Sequence, residues 1–149
     1  NGVSHPLDNK PYKSYRYPNA KAQYIADSYF NLNEAFGSFK NLLMKNLCAK
    51  DLRKEIIDLC PGIGPKQASH FLKNIGYTDS LAVLDRHIIN YLSLVNGSNI
   101  SSSQLARLDK YEELEKVFID VVRVFKHSVS IVDQAMWFIM RALKTEVKS

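Results

Sequence analysis

Cysteine is scarce. Cys48 and Cys60 are the only two among 149 residues, twelve positions apart, and they match neither a CxxC pair nor a zinc-ligand spacing. Both flank apolar stretches of helical period, which predicts reduced core thiols in an intracellular protein. The histidines, His5, His70, His87 and His127, include no pair spaced for a metal. No run of eighteen apolar residues appears and no secretory leader is recognised, so neither a membrane span nor export is expected. The chain opens on Asn1 rather than Met, as expected of a trimmed or processed chain. Alternation of strand period is missing over any useful length. The expectation is an all-α protein.

What is present suffices for a packed core. A hydrophobic share of 46% with 23% charged residues argues against global disorder, and the length suits one domain or two small lobes sharing a core. Twenty Lys and Arg against fifteen Asp and Glu give a net charge of +5, which permits a polyanionic partner without requiring one.

Residues 1 to 19 are polar and carry Pro6, Pro11 and Pro18, which predicts an extended arm or loop. From Ala20 the period is helical, with Ala22, Ile25, Ala26 and Tyr29 on one stripe. Residues 34 to 48 carry a second stripe through Phe36, Phe39, Leu42, Leu43 and Leu47. Leu52, Ile56 and Leu59 predict a short helix with Asp51 as its N-cap. After Pro61-Gly62-Ile63-Gly64, Pro65 suits the first position of a new helix. Ala68, Phe71, Leu72 and Ile75 form that helix's buried stripe, and Gly76 is its left-handed stop. Leu84, Ile88, Tyr91, Leu92 and Val95 predict another helix closed by Asn96-Gly97, and residues 96 to 103 a polar loop. A helix over 110–126 turns Leu114, Val117, Phe118, Val121, Val122 and Phe125 inward. A last one, over about 131–144, starts at Ser130 with Asp133 in a capping-box-like position.

The stretch LCPGIGPKQASHFLKNIGY, residues 59 to 77, thus joins two helices by a Gly-x-Gly turn. Gly62 and Gly64 allow close backbone approach, and the N–H groups opening the second helix suit a phosphate. A plain αα-corner in a helical bundle is the plainer explanation of the glycines alone. Lys66 is less easily explained, because a cation at the amino end of a helix opposes the macrodipole. That field, together with burial, is expected to lower its pKa from the ordinary value of about 10.4 toward a usable amine nucleophile. A simple phosphate contact is the alternative. Asp85, in AVLDRHI (82 to 88), opens the next helix. It is either an N-cap alone or a carboxylate facing Lys66. Arg53, Lys54, Lys66, Lys73 and Arg86 gather around the hairpin as a solvated face or a contact for a polyanion.

GIGPKQASHFLKNIGY and AVLDRHI resemble the helix-hairpin-helix DNA glycosylase superfamily, and within it most closely the type-2 8-oxoguanine DNA glycosylase/AP lyases. RYPNAKAQYI (16 to 25) and VDQAMWFIMRAL (132 to 143) are similar to that family too, so the resemblance spans most of the chain. Endonuclease III-like relatives carry a four-cysteine iron–sulfur loop, which two cysteines cannot supply. The family begins with more helical sequence than is found here. It ends close to a lysine that helps recognise the damaged base, whereas here Lys148 precedes Ser149.

The resemblance implies a two-lobed helical fold lacking part of its amino-terminal lobe, with residues 1–30 and 128–149 in the first lobe and 31–127 in the hairpin lobe. It implies Lys66 and Asp85 as catalytic residues of a bifunctional enzyme. Base removal passes through a lysine Schiff base, and β-elimination then cuts the strand. Gly62, Gly64, Gln67, Arg86 and His87 fall to DNA binding, and Trp137, Asp133 and Lys148 to the base pocket; for Asp133 a helix cap, and for Trp137 a core role, are the plainer alternatives. No cofactor is required, but relatives hold Na+ or K+ on backbone carbonyls matching Asp58, Cys60 and Ile63. The implied partner is double-stranded DNA bearing 8-oxoguanine or abasic sites, met by a monomer, away from membranes and alongside the chromosomal DNA. A non-catalytic DNA-docking hairpin module, or a glycosylase for another lesion, is the competing expectation.

Overall fold

The computed structural model describes residues 17–97 and 99–146. The described residues form α-helices only: α1 (Pro18–Phe36), α2 (Phe39–Leu43), α3 (Ala49–Leu59), α4 (Pro65–Asn74), α5 (Arg86–Asn96), α6 (Ser102–Ala106), α7 (Leu108–Arg123) and α8 (Val129–Glu146). No described helix is long and apolar enough to cross a membrane.

Two apolar clusters organise these helices. One gathers Leu42, Leu52, Ile56, Cys60, Ala68, Leu72 and Leu81 between α2, α3 and α4. The other gathers Ala82, Leu84, Ile88, Leu92, Tyr111, Phe118, Val122 and Val132 between α5, α7 and α8. The segment Leu81–Leu84, which is buried throughout, passes from the first cluster into the second.

Several sequence expectations are corrected. The helix expected from Ala20 begins at Pro18, because proline at a first helical position gives up an N–H that has no partner there. The stripe over 34–48 is broken at Gly37, whose φ of +73° ends α1, and Ser38 then caps the short α2. Asp51 is not the N-cap of α3. Cys48 is, accepting from the Asp51 N–H at 3.4 Å while its thiol donates to the Asp51 carboxylate at 2.9 Å. Cys48 is therefore exposed at a helix start, and Cys60 alone is a core thiol. Within residues 96–103, Ser101 and Gln104 form a capping box that opens α6. Phe125 is 51% exposed beyond the end of α7, and Phe71 and Ile75 are likewise exposed. Ile25 and Tyr29 on α1 are exposed as well, because no described residue covers that face.

Gly76 behaves as expected. Its φ is +71°, its N–H bonds the Lys73 carbonyl, and the Tyr77 N–H reaches the Leu72 carbonyl, both at 3.0 Å. This Schellman closure stops α4 and sends the chain toward Leu81.

Candidate active site

A cleft of about 450 Å³ opens between α4, the segment before α5, and α8. Its volume lies within the roughly 300–1,000 Å³ of small-ligand sites. Lys66, His70 and Lys73 line one wall; at spacings of four and three they share a face of α4. Val83 and Asp85 form the second wall, and Asp133, Gln134, Trp137 and Phe138 the third.

Lys66 is the second residue of α4, after Pro65, and it is exposed. The burial expected of it is absent from the free chain, because only the cleft lies beside it. Gly64 supplies no side-chain cap, so the amides opening α4 are not claimed from that position. Gln67 is exposed and folds its amide oxygen toward Gly64. Gly62 has a φ of +81°, and the ring of Tyr24 lies where a Cβ would stand, 2.5 Å from that position. The close approach that Gly62 permits is thus made by this chain's own α1.

Asp85 is the N-cap of α5: one carboxylate oxygen, Oδ1, accepts from the His87 N–H at 2.8 Å and the Ile88 N–H at 3.0 Å. Half-buried, it also lines the cleft that Lys66 lines, so capping α5 does not withdraw it from that cavity. Arg86 is exposed, and the half-buried His87 ring rests edge-on to Trp137 at 5.8 Å. Trp137 in turn carries Phe138 at 5.1 Å on one side and the Arg141 guanidinium at 4.9 Å.

Asp133 does not cap α8, which begins four residues earlier at Val129. Its buried carboxylate takes a 3.0 Å ion pair from Lys73 and the Val83 N–H at 3.2 Å. Burial pushes its pKa above the ordinary 3.8; Lys73 and the Val83 N–H pull it back, while the nearby Asp85 charge acts in the same direction as burial. Lys73 is thereby engaged in the cleft floor instead of standing on a solvated face. Arg53, expected on the same face, is completely buried and paired with Glu115 and Glu112. Its surface location is corrected by those two carboxylates on α7, which no local pattern announced.

The carbonyls of Asp58, Cys60 and Ile63 flank the turn at Gly62, and the Cys60 oxygen accepts the Ile63 N–H at 3.1 Å. Three neutral oxygen donors suit a hard cation such as Na+ or K+ rather than a softer transition metal. Among the described residues no group of three or more His, Cys, Asp or Glu side chains is placed to hold a metal. Lys148 lies outside the described residues.

The 8-oxoguanine DNA glycosylase family model, of the helix-hairpin-helix type, matches residues 5–127. The chain belongs to this family. It is 34% identical over 127 residues to the 8-oxoguanine DNA glycosylase/AP lyase of Metallosphaera sedula, covering 84% of this chain and 58% of the relative. The corresponding enzyme of Saccharolobus solfataricus is 34% identical over 128 residues, with 83% and 58% covered. Among solved structures, the 8-oxoguanine DNA glycosylase of Methanocaldococcus jannaschii superposes with a TM-score of 0.69 at 30% identity, over 85% of this chain and 56% of that one. The same glycosylase/lyase in complex with a 15mer DNA containing 8-oxoguanine gives 0.68, with 85% and 57% covered. The chain therefore carries the 8-oxoguanine DNA glycosylase fold, and spans a little under three fifths of the length of these relatives.

Several residues of this glycosylase-family cleft carried no sequence signal of their own. His70, Asn74 and Gln134 line it. His70 was recoverable in part, since polar residues at 66, 70 and 73 share one helical face. Tyr111 and Glu115, which hold the second wall, were not, because their partners lie 27 to 62 residues away.

Proposed function

We propose that this chain removes 8-oxoguanine from double-stranded DNA and then cuts the strand at the resulting abasic site. The single observation that carries this function is that Lys66 and Asp85 line the same cleft, beside an aromatic wall formed by Trp137 and Phe138. A docking hairpin has no need of an amine and a carboxylate facing one cavity.

The oxidised base must leave the stack before its glycosidic bond becomes reachable, and the cleft between α4 and α8 receives it. Asp85 stabilises the positive charge that develops on the sugar as the bond breaks. The uncharged Lys66 amine attacks the anomeric carbon while the base departs with the bonding electrons and takes up a proton. The bound amine then loses a proton and the C1′–O4′ bond breaks, with O4′ taking up a proton, which leaves an open-chain iminium. It acidifies the adjacent sugar carbon; loss of that proton expels the 3′ phosphate and nicks the strand.

The uncapped start of α4 offers N–H groups to a backbone phosphate, with Gly64, Gln67, Arg86 and His87 alongside. Trp137 and Asp133 contact the base, and Lys148 joins them. A Na+ or K+ on the carbonyls of Asp58, Cys60 and Ile63 steadies the hairpin. The two-lobe division, a monomeric state and a location with the chromosomal DNA belong to the same proposal.

The test is a panel of duplexes, each with one modified base, offered under borohydride. The expected result is a covalent adduct on 8-oxoguanine that Lys66→Gln does not form. Excision of thymine glycol or alkylated purines with 8-oxoguanine left intact overturns the substrate. Duplex binding with no excision of any lesion overturns the enzyme in favour of a docking module.

A further inference from the structure

We infer that Tyr111, together with the buried Arg53–Glu115 pair, positions the Asp85 carboxylate against Lys66. The inference rests on the proposed roles of those two cleft residues and goes beyond them.

The segment Leu81–Leu84 is buried but belongs to no helix or strand, so its peptide groups must find partners elsewhere. The Val83 carbonyl accepts the Asp85 N–H at 2.7 Å and the Val83 N–H reaches Asp133; side chains of α7 serve Ala82 and Leu84. Glu115 Oε1 accepts the Ala82 N–H at 3.0 Å. The Tyr111 hydroxyl donates to the Ala82 carbonyl at 2.9 Å and accepts the Leu84 N–H at 2.9 Å. One oxygen thus ties residues 82 and 84, fixing the backbone immediately before Asp85. Burial pushes the Tyr111 pKa well up, which keeps the neutral hydroxyl that this double role requires.

The other end of the network reaches the opposite wall. Glu115 receives Arg53 through two parallel bonds, Nη1 to Oε1 at 2.9 Å and Nη2 to Oε2 at 2.8 Å. Arg53 Nη1 also donates to the Ser69 hydroxyl at 3.0 Å, and Ser69 stands three residues after Lys66 on α4. Burial works against the Arg53 charge, but the Glu115 bonds and field outweigh it and hold its pKa above the ordinary value. A continuous buried chain therefore runs from Ser69 through Arg53 and Glu115 to Ala82, joining the helix of Lys66 to the segment of Asp85. Buried ion pairs of this kind are seldom the most stabilising filling for a core. What this one supplies is registry between two walls that carry chemistry.

Tyr111→Phe tests the inference, since it keeps the ring and removes only the shared oxygen. On an 8-oxoguanine duplex, single-turnover excision is expected to fall on the order of tenfold to a hundredfold with duplex affinity unchanged. In an Asp85→Asn background the same substitution is expected to add nothing, because its effect passes through that carboxylate. The Asp85 carboxyl titration, followed by NMR in the wild-type chain and in Tyr111→Phe, reads position without activity and is expected to move. An unmoved titration overturns the inference, as does a rate loss that multiplies in full with that of Asp85→Asn. Should the wild-type chain leave 8-oxoguanine intact, the proposed substrate fails, while the Asp85 titration still decides the positioning role.

Discussion

The Lys73 ammonium sits 3.0 Å from the Asp133 carboxylate, across the floor of the cleft, and the same carboxylate oxygen accepts the Val83 N–H. One buried acid thus binds three pieces of backbone: α4, the segment before Asp85, and α8. Burial raises its pKa above 3.8 despite Lys73, so the folded chain holds this proton more tightly than the unfolded chain. The Asp133 contribution is therefore intact below the ordinary carboxylate value and declines as pH rises from there through the raised value. Asp133→Asn abolishes that decline. Denaturant unfolding at a series of pH values is expected to show the variant gaining on the wild type as pH rises through this window. A gap moving the other way rejects the assignment.

Lys66→Gln separates chemistry from stability. The side chain is exposed at the second position of α4, where a cation opposes the helix dipole. Its removal is expected to leave the melting temperature unchanged or to raise stability by about 0.3–1 kcal/mol. Calorimetry on the variant that forms no borohydride adduct checks this. A marked loss of stability would assign Lys66 a structural role instead.

How far the sequence foretold this arrangement depended on the range of the interaction. Local signals read well. The Gly76 stop, the Pro65 start and the closure at Gly97 are decided by neighbours in the chain, and each stands where its residue type predicts. Lys66 and Asp85 line one cleft, and the roles expected of them came from the family resemblance. Arg53 was misread because its partners, Glu112 and Glu115, lie 59 and 62 residues away. Nothing local marks a lone arginine as buried. Ile25 and Tyr29 show the converse limit: helical period tells which residues share a face, but not whether another element covers it.

The cap that Asp85 supplies and the charge proposed to act in base removal can be separated by substitution. Asparagine caps helices about as well as aspartate, so Asp85→Asn is expected to keep α5 and its stability while losing the charge. Asp85→Ala loses the charge and also the bonds to His87 and Ile88, a further cost of about 1 kcal/mol. Both variants are expected to lose base excision by a factor on the order of a hundred or more. Only the alanine variant is expected to melt earlier. Equal melting temperatures for the two would remove the capping role.

Tyr24 and Gly62 make the last prediction. Two glycines in this region adopt positive φ, Gly62 at +81° and Gly76 at +71°, and they differ in what a methyl group would meet. At Gly76 nothing lies within 4 Å, so alanine there pays only for the left-handed backbone, about 1–2 kcal/mol. At Gly62 the Tyr24 ring is 2.5 Å away, closer than real side chains approach, so the ring or the turn must shift. Gly62→Ala is expected to cost roughly 1–3 kcal/mol beyond Gly76→Ala. If the excess comes from this contact, Tyr24→Ala placed on Gly62→Ala restores most of it, since the methyl then enters the space the ring vacated. Urea unfolding of the wild type, Gly76→Ala, Gly62→Ala, Tyr24→Ala alone and the Gly62→Ala/Tyr24→Ala double variant measures the coupling. Equal costs at both glycines, or an excess untouched by Tyr24→Ala, would show that backbone conformation alone sets the requirement for glycine in the hairpin.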